Sequence, residues 1–157
     1  MSTTVGIGVP VPKMLPITGT WATPFAAYLV LLSQRITYHR LKNEKYLGDS
    51  LGPATDKDNQ DKPDPLFLAT RAHNNYLENI PLAFLLTAVA ELNGGNRKVL
   101  NWALGILLAL RIAHVEVGMK GKQTVGPGRP VAFYFSQLFL GGMAAYSTYL
   151  IKGYWGF

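Results

Sequence analysis

The chain has no cysteine and few charged residues. Because its 157 residues include no cysteine, disulfide bonds, thiolate metal sites and a cysteine nucleophile are excluded. Charged residues make up 15% of the sequence, whereas a soluble protein has roughly 25%. The mean hydropathy is positive, at +0.12. This composition predicts an integral membrane protein.

Four apolar segments divide the sequence, over residues of about 15–38, 66–92, 98–118 and 130–151. Each is close to the roughly 20 residues that an α-helix needs to cross a bilayer. We therefore predict an all-α fold with one domain over residues 1–157, an integral membrane four-helix bundle. Residues 43–65 form a polar loop between the first two spans, and the first span is expected to be an uncleaved anchor.

Basic residues lie mainly at the ends of the predicted spans, where they indicate topology. Eight lie on the side of the first and third loops: Arg40, Lys42, Lys45, Lys57, Lys62, Lys120, Lys122 and Arg129. Four lie on the opposite side: Lys13, Arg97, Lys98 and Lys152. The positive-inside rule then places loops 1 and 3 in the cytosol and both termini outside or in a lumen. The net charge of +6 is explained in this way, and we expect no nucleic-acid partner.

The second span carries polar groups on one face. Arg71, Asn74, Asn75 and Glu78 fall within a stripe of about 100° around a helix. His73 lies about 160° away. Charged groups at bilayer depth cost several kcal/mol, so we expect this stripe to face the interior of the bundle or a wet cavity. The alternative is a structural Arg71–Glu78 pair that fixes helix packing.

Further cations are expected near the same cytosolic half. They are Arg35 and Arg40 at the end of the first span, Arg111 and His114 in the third, and Arg129 at the start of the fourth. Glu116 lies off the Arg111/His114 face and is expected to pair with Lys120. An excess of cations around one carboxylate and two amides suits a small anionic ligand that also carries an amine. No pair of residues has the spacing of a metal site, so none is predicted.

The second span also resembles a known family. Residues Arg71 to Pro81 read R-A-H-N-N-Y-L-E-N-I-P, which resembles the pattern R-x-H/Q-x-N-x-x-E-x-x-P of the MAPEG family, the membrane-associated proteins in eicosanoid and glutathione metabolism. Arg111-Ile-Ala-His114 is similar to the R-x-x-H/Y element of the family's third helix. Tyr46–Asp49 and Glu91–Gly94 resemble segments of its bacterial-like members. The resemblance runs from about residue 25 to 150 and is most specific in the second span.

The resemblance implies four-helix subunits that form a homotrimer and bind glutathione, as a co-substrate, between neighbouring subunits near the cytosolic face. Carried over by position, the glutathione-binding residues are Arg71, His73, Asn75, Glu78 and His114, with Arg40 or Arg35 as the first-helix contact. Arg129 matches the arginine credited with stabilising the thiolate, and Arg111 is the second candidate for that catalytic role. An endoplasmic-reticulum-type membrane is implied for a eukaryotic cell.

Three positions depart from the synthases of this family. Gly118 and Phe133 stand where some synthases have tyrosine, with Tyr134 one place along, and Asn74 replaces an arginine. The eicosanoid synthase activities are therefore not supported. What the resemblance still implies is a glutathione transferase or peroxidase that acts on lipophilic substrates dissolved in membrane lipid. The alternatives are a non-catalytic trimeric scaffold or accessory protein, and a small transporter or channel.

Overall fold

The structure is a computed structural model that describes residues 3–5, 9–11, 14–49, 64–118 and 128–156, with side chains over 14–49, 64–116 and 133–156. Four helices make up nearly all of it: α1 (Pro16–Lys42), α2 (Pro65–Leu92), α3 (Arg97–Ala113) and α4 (Gly128–Ile151). A π-helical turn (His114–Gly118) continues α3, and a 3₁₀ turn (Lys152–Trp155) follows α4. Two short strands, β1 (Thr3–Val5) and β2 (Val9–Val11), pair antiparallel, with Thr3 opposite Val11.

The predicted all-α fold is confirmed, and the four helices lie where the four apolar segments are. One stretch of the described residues, Arg97–Glu116, is long and apolar enough to cross a membrane by itself. The polar stripe of α2 lowers the hydropathy of that helix, and tyrosine, serine and threonine side chains are frequent in α1 and α4. Membrane crossing by α1, α2 and α4, and the orientation of the bundle, remain predictions.

The helix ends follow from local sequence. Proline occupies the first turn of both α1 and α2, where its missing N–H is not needed. The Asp64 carboxylate accepts hydrogen bonds from the amides of Leu66 and Phe67, at 2.8 and 3.4 Å, and so caps α2. Asn96 caps α3 in the same way. Gly94 has a positive φ of 79°, which ends α2 and begins the tight turn into α3.

Side chains from all four helices form one core, in which α2 packs against both α1 and α4. Leu32 of α1 and Leu100 and Leu104 of α3 are almost fully buried. Large apolar side chains are also exposed on the outer surface of every helix, including Val30, Leu31, Leu77, Leu82, Leu85, Trp102, Ile106, Phe133, Leu138 and Tyr149. An outer surface of this kind suits a lipid environment or contact with further subunits.

A carboxylate at the far end of α2 fixes the start of α1. Glu91 accepts hydrogen bonds from the amides of Ile17 and Thr18, at 2.7 and 2.8 Å, and from the hydroxyl of Thr18 at 2.6 Å. These amides are among the four at the helix start that have no partner within α1. Glu91 therefore both caps α1 and holds it against α2.

Candidate functional site

The polar stripe of α2 lies mainly on the outer surface of the chain. Arg71, Asn74 and Glu78 are exposed, and only Asn75 is turned partly inward. The Arg71 guanidinium lies 6.0 Å from the centre of the Phe67 ring. The stripe was predicted to face the interior of the bundle or a wet cavity. Within a single chain it does not face the interior, because three of its four residues are exposed; whether it lines a cavity between subunits stays a prediction.

Asn75 joins the stripe to α3. Nη1 of Arg111 donates a hydrogen bond to Oδ1 of Asn75 at 2.5 Å. Arg111 is only 4% exposed, and within the described residues its Nε and Nη2 have no hydrogen-bond partner. A buried guanidinium with two unmatched donors is costly, since buried polar groups are normally paired. This arrangement gives the helix bundle a cation that still has the capacity to bind an acceptor.

A second charged contact joins α1 to the π-helical turn. Arg35 forms an ion pair with Glu116 through Nη2 and Oε1, and both side chains are partly exposed. Glu116 was expected to pair with Lys120, which lies outside the described residues. The structure shows that the carboxylate of Glu116 is engaged by α1.

Arg40, the first-helix residue predicted to bind glutathione, donates to backbone carbonyls of the segment that follows α1. Its Nη2 donates to the carbonyl of Gly48 at 3.1 Å, and its Nη1 lies 3.4 Å from the carbonyl of Tyr46. These contacts hold the chain that leaves α1 against the end of the helix. They give Arg40 a structural role, and its predicted contact with glutathione remains a prediction.

The remaining predicted site residues lie on three elements. His73 is half-buried on α2, on the side of the helix away from the stripe, and His114 is half-buried as the first residue of the π-helical turn. Arg129 lies in the first turn of α4, but its side chain is outside the described part of the chain. Phe133 and Tyr134 are consecutive aromatic residues of α4, and both are exposed.

A model of the MAPEG family matches residues 18–149, which is most of the chain. The chain belongs to the MAPEG family. The resemblance seen in the second span is thereby confirmed. The chain is therefore a membrane protein of a family concerned with glutathione and eicosanoid metabolism. No curated protein and no solved structure matches the chain. The matched region includes all of α2 and α3, and hence the polar stripe of α2 and Arg111.

Sequence reasoning missed three contacts in this MAPEG chain: Asn75 with Arg111, Arg35 with Glu116, and Glu91 with the start of α1. Each joins residues on different helices, so helical spacing within one segment gives no sign of it. The one available signal was Glu91 itself, because a carboxylate within a predicted span requires a partner. The free amides at the start of α1 are a chemically suitable partner.

Proposed function

We propose that this protein is a glutathione-dependent membrane enzyme of the transferase or peroxidase type. Membership of the MAPEG family supports this class of function. The observation that carries the proposal is the Asn75–Arg111 hydrogen bond, because it joins the polar stripe to a buried cation whose other donors, Nε and Nη2, have no partner among the described residues. The stripe and the cation together offer the charges that glutathione requires.

Binding is assigned to the outer stripe. Arg71 would hold a carboxylate of glutathione, and Glu78 would hold its ammonium group, since each is exposed and carries the complementary charge. The chain's own helices leave this face uncovered. Charged groups at membrane depth need shielding from lipid, so we propose that a neighbouring subunit of a homotrimer closes the site.

Activation of the thiol is assigned to arginine. A free thiol has a pKa of about 8.5, so only a few per cent is ionised at neutral pH. A cation within about 4–6 Å favours the charged form and lowers the pKa by about 1–3 units. The position of Arg129 in the family makes it the first candidate for this role. The unmatched Nε and Nη2 of buried Arg111 support it as the second.

The chemistry joins a water-soluble thiol to a membrane-dissolved substrate. In the transferase reaction, the glutathione thiolate supplies an electron pair that forms a bond to an electrophilic carbon, and the leaving group departs with its own pair. The protein's part is to hold the thiol ionised and to place it beside the apolar phase. Exposed Leu82 and Leu85 continue from the stripe along α2 and provide an apolar surface for the second substrate.

A second candidate is a non-catalytic trimeric scaffold or accessory protein with the same fold. It is favoured by Gly118 and Phe133, which replace tyrosines of the synthases, and by the use of Arg40 on backbone carbonyls. In that case the polar stripe would serve assembly alone.

Glutathione binding and oligomeric state, measured together, distinguish the two candidates. We expect the purified protein to bind glutathione in equilibrium dialysis and to have the mass of three chains in light scattering. Glu78→Gln is expected to lose glutathione binding and keep that mass, whereas Leu85→Ala, on the same exposed side of α2, keeps both. If Glu78→Gln breaks the assembly, or if the unaltered protein binds no glutathione, the scaffold is favoured.

A further inference from the structure

An apolar groove of about 190 Å³ lies on the outer surface between α1 and α2. We call it the α1–α2 groove. Its floor is an aromatic cluster, in which the rings of Phe25 and Phe84 meet edge to face with centroids 4.8 Å apart. The Tyr76 ring lies 6.4 Å from that of Phe25. The lining residues are all uncharged, and Ala22 and Ala26 on the α1 side are exposed. The groove is therefore an apolar trough that opens outward over a floor of aromatic rings.

The α1–α2 groove is separate from the proposed glutathione site. Its α2 residues are centred about 140° around the helix from the Arg71/Glu78 stripe. Its α1 residues end at Leu29, whereas Arg35 lies about 9 Å further along the helix axis. The inference drawn from the groove therefore does not depend on the proposed function.

Pro81, inside α2, leaves a backbone acceptor at the edge of this groove. Proline has no N–H, so the carbonyl of Leu77, four residues earlier, lacks the donor that an ordinary helix supplies. Leu77 and Pro81 both line the groove and are exposed. Inside a membrane no bulk water is present, and a freed carbonyl is normally matched by a neighbouring helix, a hydroxyl side chain or an ordered water. The Leu77 carbonyl is thus an acceptor that an apolar surrounding leaves in need of a donor.

The side-chain donors nearest to this carbonyl bond elsewhere. The Tyr76 hydroxyl donates to the carbonyl of Phe25 at 2.8 Å. Nδ2 of Asn79 donates to the carbonyl of Asn75, also at 2.8 Å. Because these donors are engaged, a molecule bound in the groove can supply the hydrogen bond that Leu77 lacks.

We propose that the α1–α2 groove binds a lipid-soluble alcohol with a ring body. Its hydroxyl would donate a hydrogen bond to the carbonyl of Leu77, and its ring would pack against Phe25 and Phe84. An engineered apolar cavity of about 150 Å³ holds benzene, so a groove of about 190 Å³ admits one ring with a short chain. The aromatic floor favours a ring, because aromatic pairs gain energy beyond the area that they bury. The uncharged lining favours a neutral molecule over an ion.

The test uses the full chain in detergent micelles, with 3-(4-fluorophenyl)propan-1-ol as the probe and ¹⁹F NMR as the readout. We expect saturable binding of the alcohol and about threefold to tenfold weaker binding of its methyl ether. The ether keeps the ring and the chain but has no donor, so the difference measures the hydrogen bond. Equal binding of both, as a groove for acyl chains would give, overturns the proposal, and so does the absence of saturable binding.

A proline variant tests the acceptor. Pro81→Ala restores an N–H four residues after Leu77, so the helix itself satisfies the carbonyl. We expect this variant to bind the alcohol and the ether equally, with its helix content unchanged in circular dichroism. Pro24→Ala is the matched control, because Pro24 lies inside α1 and outside the groove lining, and it should keep the preference. If Pro81→Ala keeps the full preference for the alcohol, the carbonyl is not the acceptor and the proposal fails.

Alanine variants locate the bound probe. Ala26→Leu fills the groove and is expected to weaken binding of the alcohol by about tenfold or more. Ala27→Leu is the matched control, because Ala27 is also exposed on α1 and does not line the groove. If Ala26→Leu binds the alcohol unchanged, the probe occupies another place and the proposal is wrong.

A second copy of the chain could cover the groove instead. Light scattering decides between the two occupants, and we expect Ala26→Leu to keep the mass of the unaltered protein. A smaller mass for Ala26→Leu than for Ala27→Leu would show that the groove is a contact between subunits, which contradicts the proposal. Glu78→Gln is expected to leave binding of the alcohol unchanged, so failure of the glutathione site and failure of this groove are separate results.

Discussion

Arg111 of α3 and Asn75 of α2 are joined by a hydrogen bond of 2.5 Å, although they are 36 residues apart in sequence. Asn75 belongs to the stripe that otherwise faces outward, and Arg111 belongs to the interior. The contact therefore connects the surface proposed to bind glutathione with the buried cation proposed to help activate it. It also accounts for an asparagine at this position, since its amide oxygen accepts from the guanidinium.

Replacing Asn75 should lower both the stability of the protein and its affinity for glutathione. Asn75→Ala removes the acceptor of a buried cation, and a hydrogen bond to a charged group contributes about 1.5–3 kcal/mol. We expect a lower unfolding temperature in detergent and weaker glutathione binding. Asn79→Ala is the control, because the Asn79 amide donates only to the backbone carbonyl of Asn75. Equal effects of the two substitutions would show that Arg111 does not depend on Asn75.

Removing the Glu91 carboxylate should loosen α1 from α2. Glu91→Ala leaves the amides of Ile17 and Thr18 without acceptors, at an expected cost of about 1–3 kcal/mol. Thermal unfolding in detergent measures this change. Thr20→Ala is the control. It removes an exposed hydroxyl that donates a hydrogen bond only within its own helix, so we expect little change in the unfolding temperature. Should Glu91→Ala unfold no earlier than Thr20→Ala, the cap contributes nothing.

The turn between α2 and α3 should not accept a side chain at residue 95. A Cβ atom on Gly95 would lie 2.7 Å from the carbonyl oxygen of Ala90, and overpacking of this kind costs about 1–3 kcal/mol. Gly95→Ala is therefore expected to lower the unfolding temperature. Gly19→Ala, at a helical glycine with open space around it, is expected to be neutral or slightly stabilising. A Gly95→Ala protein as stable as Gly19→Ala would contradict the packing described for this turn.

The two proposed roles of arginine should separate in steady-state kinetics. Arg71→Ala is expected to raise the KM for glutathione more than it lowers kcat, because Arg71 is assigned to binding. Arg129→Ala is expected to lower kcat more than it changes KM, because it is assigned to the thiolate. A change of two units in the thiol pKa corresponds to about 2.7 kcal/mol. If Arg129→Ala leaves kcat unchanged, the thiolate role passes to Arg111.

The sequence was sufficient to predict the elements but not their contacts. The four apolar segments locate α1, α2, α3 and α4 to within a few residues. The third segment was predicted to run to residue 118, and it does so with a π-helical turn after Ala113. The pattern of apolar residues does not distinguish that turn from an ordinary helix.

The outward direction of the α2 stripe was not predictable from one chain. The cost of a charge in lipid requires only that Arg71 and Glu78 be shielded, and it does not say whether the shield is the same chain or a neighbour. The contacts of Asn75, Glu91 and Glu116 depend on which helices are adjacent, and that information is absent from spacing within a segment. The resemblance to the MAPEG family was the one route from the sequence to the proposal of a site between subunits.

The most direct test of the account is the ultraviolet difference spectrum of the detergent-solubilised protein, recorded with increasing glutathione near neutral pH. We expect a thiolate absorbance that saturates with glutathione and disappears in Glu78→Gln, while Leu85→Ala retains it. That result would establish a site that both binds glutathione and ionises its thiol. Glutathione binding without thiolate absorbance would contradict the assigned catalytic role, and absence of binding would contradict the site itself.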